Sequence, residues 1–174
     1  MIRTRSAAPP TRRAVLRAGL FGLAALATAE VAAAVAPFLR VNKIVGLGEV
    51  VATGLTPADA LARFAATNDA PILYAQHRFF LLHAPGGIVA AYRKCTHLGC
   101  AVPFDPAKDQ FNCPCHGSIY DKRTAVVIRD PAPRPLDLFH VSEREGKLFV
   151  DTNPLTAIVR AENRWDPAVV EVRD

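Results

Sequence analysis

Beyond its first 42 residues the sequence has no surplus of positive charge. Arg3, Arg5, Arg12, Arg13, Arg17 and Arg40 stand against a single acid, Glu30, and carry the whole net charge of +5. Residues 43–174 hold fifteen Lys and Arg and fifteen Asp and Glu. A folded part without a basic excess lacks the electrostatic footprint that a phosphate backbone requires, so no nucleic-acid partner is expected. Internal repeats are also missing, and the only biased stretch is Ala-rich. Cysteine is scarce. The four, Cys95, Cys100, Cys113 and Cys115, all fall within 21 residues. A disulfide framework spread through the domain is therefore excluded. The clustering, with His97 and His116 inside it, points to a metal site instead.

The N-terminal charge has a different meaning. Thr11-Arg12-Arg13-Ala14-Val15-Leu16-Arg17 resembles the twin-arginine export motif, and Ala18 to Leu39 follows it with one charge, Glu30. As a helix those residues extend about 33 Å, enough for a hydrocarbon core of about 30 Å. Arginines before the span place the N-terminus in the cytoplasm and the rest of the chain on the periplasmic or extracytoplasmic side. Twin-arginine export carries proteins already folded, which suits a cluster assembled in the cytoplasm. Ala27-Thr28-Ala29 also fits a signal-peptidase site with the cut before Glu30. The apolar run resumes from Val31 to Leu39, and the expectation is an uncleaved single-pass anchor in the cell membrane. The expected segments are a cytoplasmic stretch at 1–17, a transmembrane helix at 18–39, a connector at 40–54 and a domain at 55–174.

In that domain, Thr56 and Pro57 are suited to open a helix. Leu61, Phe64 and Ala65 would form its apolar face, and its end is expected near Thr67-Asn68. Short β-rich runs follow at 72–74, 79–83, 88–92, 111–113, 125–128, 138–142 and 147–150. Val50 and Val51 could add a first strand within the connector. Pro85-Gly86-Gly87 and Glu143–Gly146 read as hairpin turns. The fold class is mainly β, antiparallel, after an N-terminal helix. Trp165 is expected to pack on the domain, Arg160–Arg164 to form a solvated face, and His77, His83 and His140 to be ordinary surface histidines.

Two boxes carry the chemistry. The first is Cys95-Thr96-His97-Leu98-Gly99-Cys100; the second is Cys113-Pro114-Cys115-His116-Gly117-Ser118-Ile119-Tyr120. Cys95 with His97 and Cys113 with His116 offer two thiolates and two imidazoles. That set satisfies one 2Fe–2S cluster with both cysteines on one iron and both histidines on the other. If the boxes pack side by side, the remaining Cys100 and Cys115 could bond, as an oxidising compartment permits.

These residues resemble the Rieske iron–sulfur subunit of cytochrome bc-type quinol:cytochrome c or plastocyanin oxidoreductases, over Arg93 to about Asp151. The short interval Ala101 to Asn112 is most like the cyanobacterial and chloroplast form. The resemblance implies a small antiparallel domain with cluster-binding loops at about 93–136. It implies Cys95, His97, Cys113 and His116 as iron ligands and Cys100–Cys115 as a disulfide. Ser118 would bond a bridging sulfide and Tyr120 a cysteine sulfur. Asp130-Pro131-Ala132-Pro133 would cover the cluster, and Leu98, Pro131 and Pro133 would form an apolar rim that docks on a cytochrome b-type subunit. His116, with His97, would accept the quinol hydrogen bond, and the electron would pass to a c-type cytochrome with coupled proton release. Neutral imidazoles in place of thiolates make reduction easier, so the upper part of a range reaching roughly +300 mV is expected. The chain departs from the family pattern at Asp130 and around Arg123-Thr124, where glycine is usual. Other readings are the Rieske small subunit of an exported arsenite-oxidase-type molybdenum enzyme, a Rieske ferredoxin or oxygenase component, and a structural zinc domain.

Overall fold

The structure, a computed structural model, describes residues 11–39 and 47–174. Residues 1–10 of the expected cytoplasmic segment and 40–46 of the connector lie outside it.

Helix α1, Arg12–Leu39, starts on the arginine pair, six residues before the expected span. Thr11 accepts the Ala14 N–H through its hydroxyl oxygen at 3.3 Å, which caps the first turn. Leu16, Leu20, Phe21, Leu23 and Leu26 are exposed. Thr28 donates its hydroxyl back to Ala24 O and Ala25 O, so it presents no free donor. Among the described residues this is one helix long and apolar enough to cross a membrane. That supports a membrane-anchored chain.

The second unit is built on antiparallel pairs. The base sheet contains β1 (Val50–Ala52), β2 (Ile72–Tyr74), β3 (Phe79–Ala84), β4 (Gly87–Tyr92), β9 (Leu138–Arg144), β10 (Lys147–Asp151) and β11 (Val172–Arg173). Its order is β1-β10-β9-β4-β3-β2, with β11 also on β4. Val51 is buried and pairs with Val150, so the C-terminal part of the expected connector belongs to this sheet. A second sheet contains β5 (Phe104–Asp105), β6 (Gln110–Asn112), β7 (Ile119–Asp121) and β8 (Val127–Arg129), in that order.

Strands β3 and β4 lie between two cores, which explains why they read as unbroken apolar runs rather than as alternation. Phe80, Leu82, Val89 and Ala91 face a core shared with Val102, Phe111 and Tyr120 of the second sheet's region. Phe79, Leu81, Ile88 and Ala90 face the other side, with Ala60 and Phe64 of helix α2 (Pro57–Ala66) and Leu148 of β10. Phe64 is fully buried, which contributes roughly 2–3 kcal/mol. Helix α2 begins as expected, with a capping box between Thr56 and Asp59 and Pro57 in its first turn. Its buried face is Ala60 and Phe64, whereas Ala65 is exposed. The inward stripe thus starts one residue earlier than the expected Leu61.

Both expected hairpins form. Ala84 pairs with Gly87 across Pro85-Gly86, and Arg144 with Lys147 across Glu145-Gly146. Glu145 and Gly146 have φ of 51° and 72°, the primed geometry that matches strand twist. The expected strand at 125–128 begins only at Val127, because Ala125 takes a left-handed φ of 53°. That turn needs no glycine. The Asp121 Oδ1 carboxylate oxygen accepts from the N–H groups of Arg123 and Thr124 and from the Thr124 hydroxyl, at 3.1, 2.8 and 2.6 Å.

Arg160 contradicts the expected solvated face. It is 6% exposed and donates to the carbonyls of Leu136 and Thr124. The reason is local crowding: Trp165 packs on the core, and its ring lies 6.0 Å from the Arg160 guanidinium. His83 and His140 are satisfied by Asp69 and Glu171, each at 2.7 Å.

Candidate metal centre

Two turns of the same design form the site. In the first, the Cys95 N–H donates to Cys100 O at 2.8 Å and the Gly99 N–H to Cys95 O at 2.9 Å. In the second, the Cys113 N–H donates to Ser118 O at 2.8 Å and the Gly117 N–H to Cys113 O at 3.0 Å. Each turn opens on a cysteine and places a glycine four residues on, with φ of 82° at Gly99 and 79° at Gly117. Those left-handed positions are where glycine fits without strain. The first turn follows β4. The second bridges β6 and β7, so the two sheets set the spacing between them.

The turns are clasped. Cys100 and Cys115 form a disulfide, S–S 2.04 Å, with Cα atoms 6.6 Å apart. Cys95 and Cys113 are free thiols and both are buried. The rings of His97 and His116 lie 4.8 Å apart between centroids and nearly perpendicular, at 88°. The His97 Nδ1 atom is buried and, among the described residues, has no hydrogen-bond partner. A buried ring nitrogen so placed, two buried free thiols and a second imidazole fit a cluster held by Cys95, Cys113, His97 and His116. The sulfurs of Cys100, Cys113 and Cys115 lie within 4.8 Å of one another. The disulfide occupies two of those three, which leaves Cys113 as the donor.

Electrostatics separate the two thiols. Burial pushes the Cys95 thiol up, but the Tyr120 hydroxyl and the N–H groups of His97 and Leu98 outweigh it, and its pKa falls below the ordinary thiol value. Burial and the neighbouring Cys95 sulfur raise that of Cys113, against the N–H groups of Cys115 and His116. Burial, then the Cys95 sulfur, hold the Tyr120 phenol above its usual value. It therefore stays protonated and donates to Cys95 Sγ at 3.1 Å.

Ser118 is fully buried, and its Oγ accepts the Ala132 N–H at 3.0 Å. This bond anchors the proline loop to the second turn and leaves the Ser118 hydroxyl hydrogen free to donate. Pro131 and Pro133 are exposed while Ala132 between them is buried. Leu98 is 69% exposed, the large apolar residue at the tip of the first turn. His116 is exposed and His97 half-buried.

Two residues escape sequence reasoning. The Thr96 N–H and hydroxyl both lie 3.3 Å from Tyr120 Oη, and the hydroxyl donates to Arg134 O at 2.6 Å. Arg129 donates twice to Gly117 O, at 3.0 and 2.7 Å. The matched glycine spacing in the two boxes is a signal that could have revealed the paired turns. Nothing in the sequence marks Arg129.

Residues 58–141 match the Rieske [2Fe-2S] domain. The chain is 48% identical over 71 residues to the chloroplastic cytochrome b6-f complex iron-sulfur subunit of Bigelowiella natans, covering 41% of this chain and 28% of that protein. It is 46% identical over 71 residues to the corresponding subunit of Synechococcus elongatus, covering 41% and 39%. The chain thus spans well under half the length of these relatives. Among solved structures it resembles the plasma membrane Rieske protein of Synechocystis PCC 6803, at 27% identity and a TM-score of 0.39, covering 52% of this chain and 92% of that one.

Proposed function

We propose that this chain, whose residues 58–141 match the Rieske [2Fe-2S] domain, is the iron–sulfur subunit of a membrane complex of cytochrome bc type. In that role it passes electrons from a quinol to a c-type cytochrome and releases protons on the side where the domain lies. The supporting observation is the clasped pair of turns that bring Cys95, Cys113, His97 and His116 to one end of the domain, with Tyr120 on the Cys95 sulfur.

When bound, the cluster supplies a one-electron couple more oxidising than that of an all-cysteine cluster. The chain's own residues do the rest. Cys95 and Cys113 would hold one iron and His97 and His116 the other. Tyr120 donates to the Cys95 sulfur and Ser118 could donate to a sulfide, and both hydroxyls would favour the electron-rich state. His116 is exposed, so a quinol hydroxyl can reach its outer ring nitrogen and leave a proton there. Leu98, Pro131 and Pro133 present apolar surface around the histidines, which excludes water when the domain docks on a cytochrome b-type subunit. Export through the twin-arginine route and anchoring by α1, N-terminus in the cytoplasm, put the domain on the periplasmic side.

The test is purification of the chain from native membranes with mild detergent. Two irons and two sulfides per chain, a rhombic EPR signal of low average g on reduction, and a co-purifying di-haem cytochrome b are expected. A molybdopterin subunit in place of the cytochrome b would reassign the chain to an arsenite-oxidase-type enzyme. Zinc without iron would remove the electron-transfer reading altogether.

A further inference from the structure

The segment after β10 lies outside residues 58–141, yet its Arg160 hydrogen-bonds back to Leu136 and Thr124. Arg160 is buried, and among the described residues no carboxylate pairs with it. Its guanidinium is satisfied by backbone carbonyls. Nε donates to Leu136 O at 3.1 Å and Nη2 to the same oxygen, while Nη1 donates to Thr124 O at 2.7 Å. Burial lowers its pKa to about 10, and the nearby Asp137 opposes that fall, so the group keeps its charge at neutral pH. A buried cation held this way is costly to misplace.

The two carbonyls belong to two segments that are joined through Thr96 and Tyr120. Thr124 lies in the turn directly after β7, the strand that carries Tyr120. Leu136 follows the proline loop, two residues after Arg134, whose carbonyl receives the Thr96 hydroxyl. Thr96 contacts Tyr120 Oη, and Tyr120 contacts Cys95 Sγ. The Leu136 N–H also donates to Ala125 O at 3.1 Å, next to Thr124. One planar fork thus spans both ends of a closed relay: Arg160, the loop, Thr96, Tyr120 and back through β7.

We propose that Arg160 is a positioning residue for the cluster: by holding Thr124 O and Leu136 O at a fixed separation, it sets the Tyr120 hydrogen bond on the Cys95 sulfur and thereby raises the reduction potential. This rests on the reading of the four ligands above. Arg suits the task because its fork is rigid and multidentate, whereas Lys is a single mobile point of charge. Asn163, in the same tail, provides an internal control. Among the described residues its side chain hydrogen-bonds only to the Val127 backbone, at 2.8 and 2.9 Å, and not to Leu136 or Thr124.

The experiment compares the midpoint potentials of the cluster-loaded chain and its Tyr120→Phe, Arg160→Met, Arg160→Lys and Asn163→Ala variants. Amide exchange is followed at Ala132 and Leu136. Arg160→Met should lower the potential in the same direction as Tyr120→Phe and raise exchange at both amides at least tenfold. Added to Tyr120→Phe it should shift the potential no further, because its effect passes through that hydroxyl. Arg160→Lys, the milder change if Arg160→Met does not fold, should recover part of both losses. Asn163→Ala should lower the melting temperature and leave the potential in place. An unchanged potential in folded, iron-containing Arg160→Met or Arg160→Lys overturns the proposal. So does a fully additive shift, or an equal shift from Asn163→Ala. An unmutated preparation without iron and sulfide overturns the ligand reading instead, while the exchange rates still report on the clamp.

Discussion

Tyr120 Oη stands 3.1 Å from the sulfur of Cys95, at a buried position where neither group meets water. A phenol kept protonated by burial gives its hydrogen to a sulfur whose charge would grow on reduction of a cluster that it holds. The bond would then stabilise the reduced state more than the oxidised one. A hydrogen bond to a charged group is worth about 1.5–3 kcal/mol, and only the difference between redox states counts. Taking that difference as about 1 kcal/mol, Tyr120→Phe should lower the midpoint potential by roughly 40 mV, with iron retained. Protein-film voltammetry reads the shift, and no shift would detach Tyr120 from the redox role.

The clasp between Cys100 and Cys115 should matter to the domain as well as to the centre. It closes a loop of separation 15, and the loop-entropy estimate for such a closure is about 3 kcal/mol. Replacing both cysteines with alanine should lower the denaturation midpoint by a corresponding amount and speed loss of iron to a chelator. An iron-release rate equal to that of the unmutated chain would show that the sheets alone hold the turns.

Gly87 is where the C-terminal strand comes closest to β4. A Cβ added there would lie 2.1 Å from Val172 O, and Gly87 itself has φ of 145°. Both the clash with backbone and the left-handed conformation oppose any side chain. Gly87→Ala should cost about 1–3 kcal/mol of stability and free β11, seen as faster amide exchange at Val172. Chemical denaturation with exchange measurement checks both together.

That same strand has a pH-sensitive tie. His140 Nδ1 pairs with Glu171 Oε1 at 2.7 Å and its Nε2 with Thr156 O, while Glu171 Oε2 accepts the Val141 N–H. Glu171, then the Thr156 carbonyl and Asp151, raise the His140 pKa above 6.5 against modest burial. A raised folded pKa means that the stabilisation is fully present below 6.5 and is lost as pH rises through the higher folded value. Exchange at Val172, corrected for intrinsic rates, should accelerate across that interval and become pH-independent in His140→Gln. The pair is half-exposed, so the effect on global unfolding should be small.

The strands and the site were unequally legible. Runs such as Phe79–Ala84 and Ile88–Tyr92 were readable because β-branched and aromatic residues crowd them, bounded by proline and glycine. β5, β7 and β11 were not: β5 and β11 are two-residue strands, and β7 lies inside the second box, whose residues read as a ligand loop. The shift of the α2 stripe from Leu61 to Ala60 depended on where β3 and β10 lay. Around Arg123-Thr124, where the family usually has glycine, the Asp121 carboxylate caps the turn, a choice visible only because three donors converge on one oxygen.

Composition and spacing by themselves determined that cysteine and histidine chemistry would concentrate in two boxes, that the positive charge belonged to the N-terminal segment, and that the domain would be antiparallel β. Those properties follow from local residue types and from periods of a few residues. Only the tertiary structure decided that both boxes adopt one turn, that Thr96 joins the proline loop to Tyr120, and that Arg160 reaches Leu136 and Thr124 from 24 and 36 residues away. Such contacts have no period and no motif. They exist because two sheets, packed through one core, bring distant backbone carbonyls within reach of a single side chain.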